Sequence, residues 1–594
     1  MKTIFSTVIL LLSIYSSGSA QVIQSPAQFL GYEPGSQFTY HHRAIDYFKY
    51  VASISPQVQY IRFGTTYEGR ELGVCIISAE ENLKNLEELR INNLIKTGLQ
   101  KGNFTGKQIP FIWLSYNVHG NEAVGMEASM KTLYTLASGS YEGVNEWLKS
   151  VVIIIDPCEN PDGRDLYTNR YRSSQSLFTN ADGNAWEHNQ DWPGARTNHY
   201  MFDLNRDWAW MTQTETQQRL ELYVKYMPHV HADFHEMGAE STFFFAPGAN
   251  PWHEVITPWQ HEFHNMMGEG NAKLFDEKFK LYYTKENYDL FCPSYGDTWP
   301  LFNGAMGFTY EQAGGGGPGL VYKLETGDTL TLKDRIEGHF TASMATIKIS
   351  YENRVKLISE FNKYFEDGEK SPEFSYKSII IKGNNDRSAL FSLFTLLDRN
   401  QIRYAYASGI GKKYKGFDYQ SNKESEFQLE KGDILISSYQ PQSRLIKVLF
   451  EPKSMSNDSL SYDLSAWAIP YAYNIKAFAS AEKIKSEDLK ATIEPLTNES
   501  SKINSYAYVA NFTGFNELRL MALLYRKDLK IRYSIKPFTI DSVKFNRGSI
   551  IITRGDNKHS GQSFDKTVVE AAKDRKSTRL NSSHSDRSRM PSSA

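Results

Sequence analysis

The chain has 594 residues, 40% apolar and 23% charged, which excludes a wholly disordered or collagen-like protein and leaves room for two to four domains. Its 66 Lys and Arg against 68 Asp and Glu give a net charge of −2, with no footprint of nucleic-acid binding. The three cysteines, Cys75, Cys158 and Cys292, cannot all pair with one another, so a disulfide scaffold is excluded.

Residues 1–20 read as a signal peptide. Lys2 supplies the positive start, residues 4–15 a short apolar run, and Gly18-Ser19-Ala20 small residues for cleavage before Gln21. No later run reaches eighteen apolar residues, so an exported protein, secreted or periplasmic, with no stable membrane insertion after signal removal is expected; an uncleaved N-terminal anchor is the alternative.

From about residue 60 to 350, short apolar runs alternate with helical patterns. Residues 72–77, 110–114, 151–155, 230–235 and 307–310 read as strands, and residues 122–137 and 212–226 as amphipathic helices. This alternation predicts an α/β domain with a parallel or mixed sheet over residues 21–365. Gly368 and Pro372 in a charged stretch mark a linker at 366–377. A second α/β domain follows over 378–574, with strands at 378–381, 433–437 and 549–553 and a helix at 388–398. Its alternation resembles a flavodoxin-like or glutamine-amidotransferase-like layer, but no cysteine lies there to serve as an amidotransferase nucleophile. Residues 575–594 turn rich in Ser, Arg and Asn and are expected to be disordered. The stretch 576–584 resembles translated sequencing-adaptor sequence, which points to a non-native tail.

Four clusters carry chemistry. His119 and Glu122, in His119-Gly-Asn-Glu122, stand three apart where a strand runs into a helix, so one imidazole and one carboxylate can converge on one ion. Alternation along 229–235 puts His229, His231, Asp233 and His235 on one face; His235 ends the strand, whereas His229 and His231 read as buried structural residues. Asp203-Leu-Asn-Arg206 offers a guanidinium fork and an amide for a carboxylate, and an acid able to orient an imidazole. Glu311 ends an apolar strand, where desolvation suits a general base. The loop Gly314-Gly-Gly-Gly-Pro-Gly319 lacks the Lys-Ser or Lys-Thr of a P-loop and reads as mobile, and His261-Glu-Phe-His264 misses the zincin spacing.

Together these motifs resemble the zinc carboxypeptidase family of the carboxypeptidase A type. The matching residues are His119-Gly-Asn-Glu122, Asn160-Pro-Asp-Gly163, Asp203-Leu-Asn-Arg206, Asp233-Phe-His235 and Thr309-Tyr-Glu311, preceded by Glu68-Gly-Arg70. The resemblance covers about residues 40–350. It implies a mixed central sheet with helices on both faces and one zinc ion held by His119, Glu122 and His235. It further implies Glu311 as catalytic base, Asn205 and Arg206 as holders of the substrate's terminal carboxylate, and Asp203 as the partner of His119. The implied activity is a zinc metallocarboxypeptidase acting on peptides or proteins with a free C-terminus. A zinc amidase or deacylase on cell-wall peptides or acylated amino acids, and a non-catalytic binding protein, are the alternatives.

The sequence departs from the family at three points. The arginine that polarises the scissile carbonyl has no unambiguous match; Arg170 and Arg172 are candidates, and residues 173–197 read as an insertion. The mobile covering tyrosine is unplaced, with Phe291 and Cys292 near its expected position and Tyr295 a substitute. Glu236 follows the third ligand where a small residue is usual.

Overall fold

The structure is a computed structural model that describes residues 22–454, 460–463, 466–492, 505–512, 514–540, 542–573 and 581–583. The signal peptide expected at 1–20 lies outside the described residues, as does most of the expected tail. Among the described residues no helix is long and apolar enough to cross a membrane. The chain divides into two compact units: residues 1–373 with 441–448 and 453–466, and residues 374–440 with 449–452 and 467–594.

The first unit is built on a seven-stranded mixed sheet. Its strands are β1 (Val58–Thr65), β2 (Glu71–Ile77), β3 (Phe111–Tyr116), β4 (Val152–Asp156), β5 (Val230–Met237), β6 (Phe243–Phe244) and β7 (Met306–Ala313), in the order β1-β2-β4-β3-β5-β7-β6. The four central strands β4, β3, β5 and β7 are parallel, and the pairs toward each edge are antiparallel. β3 and β4 are apolar along almost their whole length because both faces are covered. Ile112, Leu114 and Tyr116 enter the main core, where Met126, Met130 and Leu133 of α1 (Val124–Ser138) and Phe340 and Met344 of α2 (Leu332–Glu352) meet them. On the opposite face Trp113 packs on Tyr223 of a further helix, Thr214–Tyr226, with ring centroids 5.1 Å apart. The expected carboxypeptidase-like mixed sheet with helices on both faces is therefore observed.

The order of the central strands positions the site. From β3 the chain goes to β4 on one side and later to β5 on the other, so the direction of winding reverses at β3. In parallel sheets such a reversal opens a crevice beyond the carboxyl ends of the strands. His119 follows β3, His235 lies near the end of β5, and Glu311 lies near the end of β7.

Three expectations need correction. The linker expected from residue 366 begins later, because the helix Arg354–Lys370 runs on through it. Lys363–Asp367 and Glu366–Lys370 ion pairs, each four residues apart, support that last turn. The second unit carries a seven-stranded sheet in which every pairing is antiparallel, among them Ser378–Ile381 with Ile434–Ser437 and Ala477–Ser480. A flavodoxin-like layer is mostly parallel. Here hairpin returns such as Lys413–Asp418 to Lys423–Gln428 supply part of the antiparallel order. Within the stretch expected to be a disordered tail, Asn581–Ser583 pairs with the edge of Ala507–Ala510, whose free backbone groups offer a template.

The main core sets a stability test. Leu133 is fully buried in it. Leu133→Ala is expected to lower unfolding stability by about 2–5 kcal/mol, read from denaturant melts of the purified chain.

Candidate active site

At the end of β3 the chain turns sharply at Asn117, which adopts a left-handed φ of 58°. Its side chain organises the turn: the amide donates to the carbonyls of His119 (3.1 Å) and Glu122 (2.6 Å), and its oxygen accepts from the N–H of Met126 (2.9 Å). His119 and Glu122 are thereby fixed at the mouth of α1. His235 comes from β5, and the three side chains are buried together. The Nδ1 atoms of His119 and His235 lie 3.2 Å apart, and the two carboxylate oxygens of Glu122 lie 2.8 Å from one and 3.1 Å from the other.

The outward faces of both rings explain this convergence. His119 Nε2 lies 3.1 Å from Asp203 Oδ1, and His235 Nε2 lies 2.8 Å from Asp233 Oδ2. A carboxylate on Nε2 keeps the proton there and leaves the Nδ1 lone pair facing inward. Two imidazole lone pairs and a carboxylate aimed at one point are a donor set for a divalent cation, and the two-nitrogen, one-oxygen composition fits zinc. Burial opposes the charge of Glu122, but positive charge and N–H donation from His119 and His235 outweigh it and hold the carboxyl well below its ordinary range; a cation among the three groups would take the place of those protons. Asp203 is likewise held low against its burial, by His119 and then by Arg196 and Arg206.

Register brings the fourth group in. His235 and Glu311 are direct partners across β5 and β7, so their side chains leave the sheet on the same face. Glu311 lines a cavity of about 230 Å³ together with His119, Glu122, His235, Asn205 and Arg206. Burial pushes its carboxyl up to about 8, His235 pulling it down and Glu122 adding to the rise. Asp203 is the partner of His119 rather than a wall of this cavity.

Arg170 and Arg172, the candidates for a carbonyl-polarising arginine, are placed elsewhere. Arg170 donates to the carbonyls of Asp191 and Pro193, and Arg172 donates to the Phe38 carbonyl and stacks on Tyr40. Beside Arg206, the cavity is lined by a second arginine, Arg196, which falls in the stretch read from the sequence as an insertion. Its Nε donates to Asp203 Oδ2 at 3.0 Å, and its guanidinium reaches Glu122 at 3.4 Å. The only sequence signal was its place at the close of that insertion, seven residues before Asp203.

Two motif glycines hold Arg196 in place. Gly120 N–H and Asn160 Nδ2 donate to the Arg196 carbonyl at 3.2 and 3.1 Å. A Cβ on Gly120 would come within 2.5 Å of the Ala195 carbonyl oxygen, and one on Gly163 within 2.6 Å of the Ala195 and Thr197 carbonyl oxygens. Both positions must lack a side chain for residues 195–197 to pass. Asn160 also caps the helix Pro161–Ser174 through Gly163 N–H, and Arg70 pins that helix by ion pairs to Asp162 and Asp165, both at 2.7 Å. The Asn160-Pro-Asp-Gly163 and Glu68-Gly-Arg70 motifs are thus structural supports of the site.

The other unusual positions also acquire reasons. Glu236 accepts from Val124 N–H at the start of α1 (2.9 Å) and pairs with buried Arg335 (2.9 Å), so it caps a helix; burial puts its carboxyl at about 7, with Arg335 countering. The loop at 314–319, expected to be mobile, is pinned. The N–H groups of Gly314 and Gly315 donate to the Met237 carbonyl, Gly316 N–H to the Asn121 carbonyl, and Arg335 to the Gly314 carbonyl. His229 and His231 are buried among rings, His229 4.3 Å from Phe361 and His231 5.0 Å from Trp208, and burial lowers both to about 3. Tyr288 and Tyr295 line the cavity, whereas Phe291 and Cys292 do not.

Comparison with known proteins agrees with the motifs. Residues 45–291 match the family model Peptidase_M14, described as zinc carboxypeptidase; the match contains His119, Glu122, Asn205, Arg206 and His235 and ends before Glu311. A protein of Arthroderma benhamiae described as probable carboxypeptidase 2 is 30% identical over 132 residues, which cover 22% of this chain and 20% of that protein. Carboxypeptidase 2 of Trichophyton rubrum is 30% identical over 132 residues, 22% of this chain and 19% of its own. The chain therefore spans about a fifth of the length of the curated relatives it matches. The crystal structure of carboxypeptidase A from Helicoverpa armigera aligns with 60% of this chain and 80% of its own at 13% identity and a TM-score of 0.37.

The glycine contacts set the test of this geometry. Gly163→Ala is expected to displace residues 195–197, lowering turnover roughly tenfold or more while the bound metal content, measured by elemental analysis, stays within error of wild type.

Proposed function

We propose that the chain is an exported zinc metallocarboxypeptidase that hydrolyses C-terminal peptide bonds of peptides or proteins with a free C-terminus. The observation that carries this reading is the meeting of His119, Glu122 and His235 with Glu311, Arg196 and Arg206 around one cavity. In it His119 Nδ1, Glu122 and His235 Nδ1 would hold one zinc ion. Such an ion supplies Lewis acidity toward a carbonyl and toward water.

The chain's own residues account for the rest. Asp203 and Asp233 keep the two imidazoles oriented. Glu311, desolvated beside His235, accepts a proton from the attacking water and returns it to the leaving amine. Arg196, half-exposed and tied to Asp203, directs a guanidinium toward the oxygen on which negative charge develops. Arg206 and Asn205 bind the substrate's terminal carboxylate; the Asn205 side chain is set by Gly296 N–H, which donates to its oxygen at 2.7 Å. Export rests on the signal-like character of residues 1–20.

Three outcomes are expected. His119→Ala, Glu122→Ala and His235→Ala should each lose most bound zinc by elemental analysis, since two remaining ligands make a weak site. Glu311→Gln should keep zinc and substrate affinity while kcat falls by roughly 10²–10⁴. A base works when deprotonated, so wild-type kcat/KM should rise with pH through an acid limb. That limb should lie below the value of about 8 set by burial, because a bound cation favours the carboxylate, and Glu311→Gln should lose it. Arg206→Ala should cut kcat/KM on free-acid peptides by roughly 10- to 100-fold with much less effect on C-terminally amidated ones. This is below the cost for a fully buried pair, because the Arg206 side chain keeps 30% of its exposure.

A further inference from the structure

The guanidinium of Arg206 already carries a carboxylate from its own chain. Residues 453–466 belong to the first compact unit, and Asp463 within them places Oδ2 2.7 Å from Arg206 Nε. The Tyr295 hydroxyl donates to that same oxygen. The adjacent Tyr462 donates its N–H to Asp289 Oδ2 at 2.5 Å, and its ring lines the cavity. The rings of Tyr295 and Tyr462 stand 4.6 and 5.8 Å from the guanidinium carbon. On its other side Arg206 Nη1 donates to the Asn205 carbonyl at 3.1 Å. With Nε on Asp463, the Nε–Nη2 edge of the fork is closed to a two-point grip on an incoming carboxylate, and Nη1 divides its donors with the Asn205 carbonyl.

We infer that Asp463 is a resident occupant of the carboxylate anchor, an autoinhibitory contact that a substrate's C-terminus must displace. This rests on the reading of Arg206 given under Proposed function. Asp463 presents the same chemical group as a peptide C-terminus, and, being part of the chain, at a high effective concentration. Two carboxylates cannot share one guanidinium edge without mutual repulsion. Arg206 and Asp463 keep 30% and 29% of their side-chain exposure, so water competes for the pair and it can open. The apparent affinity for a free C-terminus is then the intrinsic affinity scaled by the fraction of time the anchor is free. Asp463 lies outside residues 45–291, so this control is contributed by sequence beyond the family match.

The test measures kcat and KM for one peptide as its free acid and as its C-terminal amide, using the zinc-loaded full chain. Wild type, Asp463→Asn, Asp463→Ala, Arg206→Ala and the Arg206→Ala/Asp463→Asn double variant are compared. Both Asp463 variants are expected to lower KM for the free acid by roughly 3- to 30-fold with kcat unchanged, and to move KM for the amide less than about twofold. In the Arg206→Ala background the gain should vanish, because Asp463 acts through that guanidinium. An unchanged or raised KM for the free acid in both variants overturns the inference alone, since Asp463 would then be positioning Arg206 for substrate. Equal KM for acid and amide in wild type overturns the carboxylate reading of Arg206, and the inference with it.

Discussion

Everything in the catalytic cleft hangs on two carboxylates that touch the outer edges of two histidine rings. Asp203 and Asp233 hold the Nε2 atoms of His119 and His235, so both Nδ1 lone pairs turn inward toward Glu122. Buried lone pairs facing one another across 3.2 Å are unfavourable by themselves and become favourable around a cation. The need to keep them there governs what surrounds them: the left-handed turn at Asn117, the register that sets Glu311 beside His235, and the caps that hold α1.

Close backbone approach is the second organising constraint. Gly120 and Gly163 leave no room for a side chain, because residues 195–197 pass against them and deliver Arg196 to the cleft. Arg196 in turn shares Asp203 with His119, so the orientation of the proposed zinc ligand and the placing of the proposed oxyanion partner are one hydrogen-bond network. In a buried network of this kind each member's geometry depends on the others, and substitutions within it should not act additively.

The cleft is also more acidic around Arg206 than a simple carboxylate anchor requires. Asp289 and Asp297 line the cavity, both raised above the ordinary carboxylate range by burial, and Asp463 adds a third acid in contact with the guanidinium. The last of these comes from residues more than 150 positions beyond Glu311, which return to the first unit after the chain has already built much of the second. The segment that meets Arg206 therefore lies outside the residues that match the family model.

The sequence by itself determined the parallel strands of the first unit and two of its helices, and the resemblance of its short motifs to a known family grouped His119, Glu122, Asp203, Asn205, Arg206, His235 and Glu311 as one candidate constellation. These were legible because period-two and helical apolar patterns are local, and because residues at strand ends sit in short motifs with fixed spacing. Tertiary structure alone decided the remainder. Arg196 has no motif, since its position depends on the absence of two distant side chains, Gly120 and Gly163. The pinned backbone at 314–319 looked mobile because its partners, Met237, Asn121 and Arg335, are remote in sequence. The antiparallel second sheet was read as parallel-like because strand–helix alternation records which elements occur, not which neighbours they choose. The Arg206–Asp463 pair joins residues 257 positions apart, and no pattern within either segment encodes it: only the return of the chain to the first unit brings the two charges together.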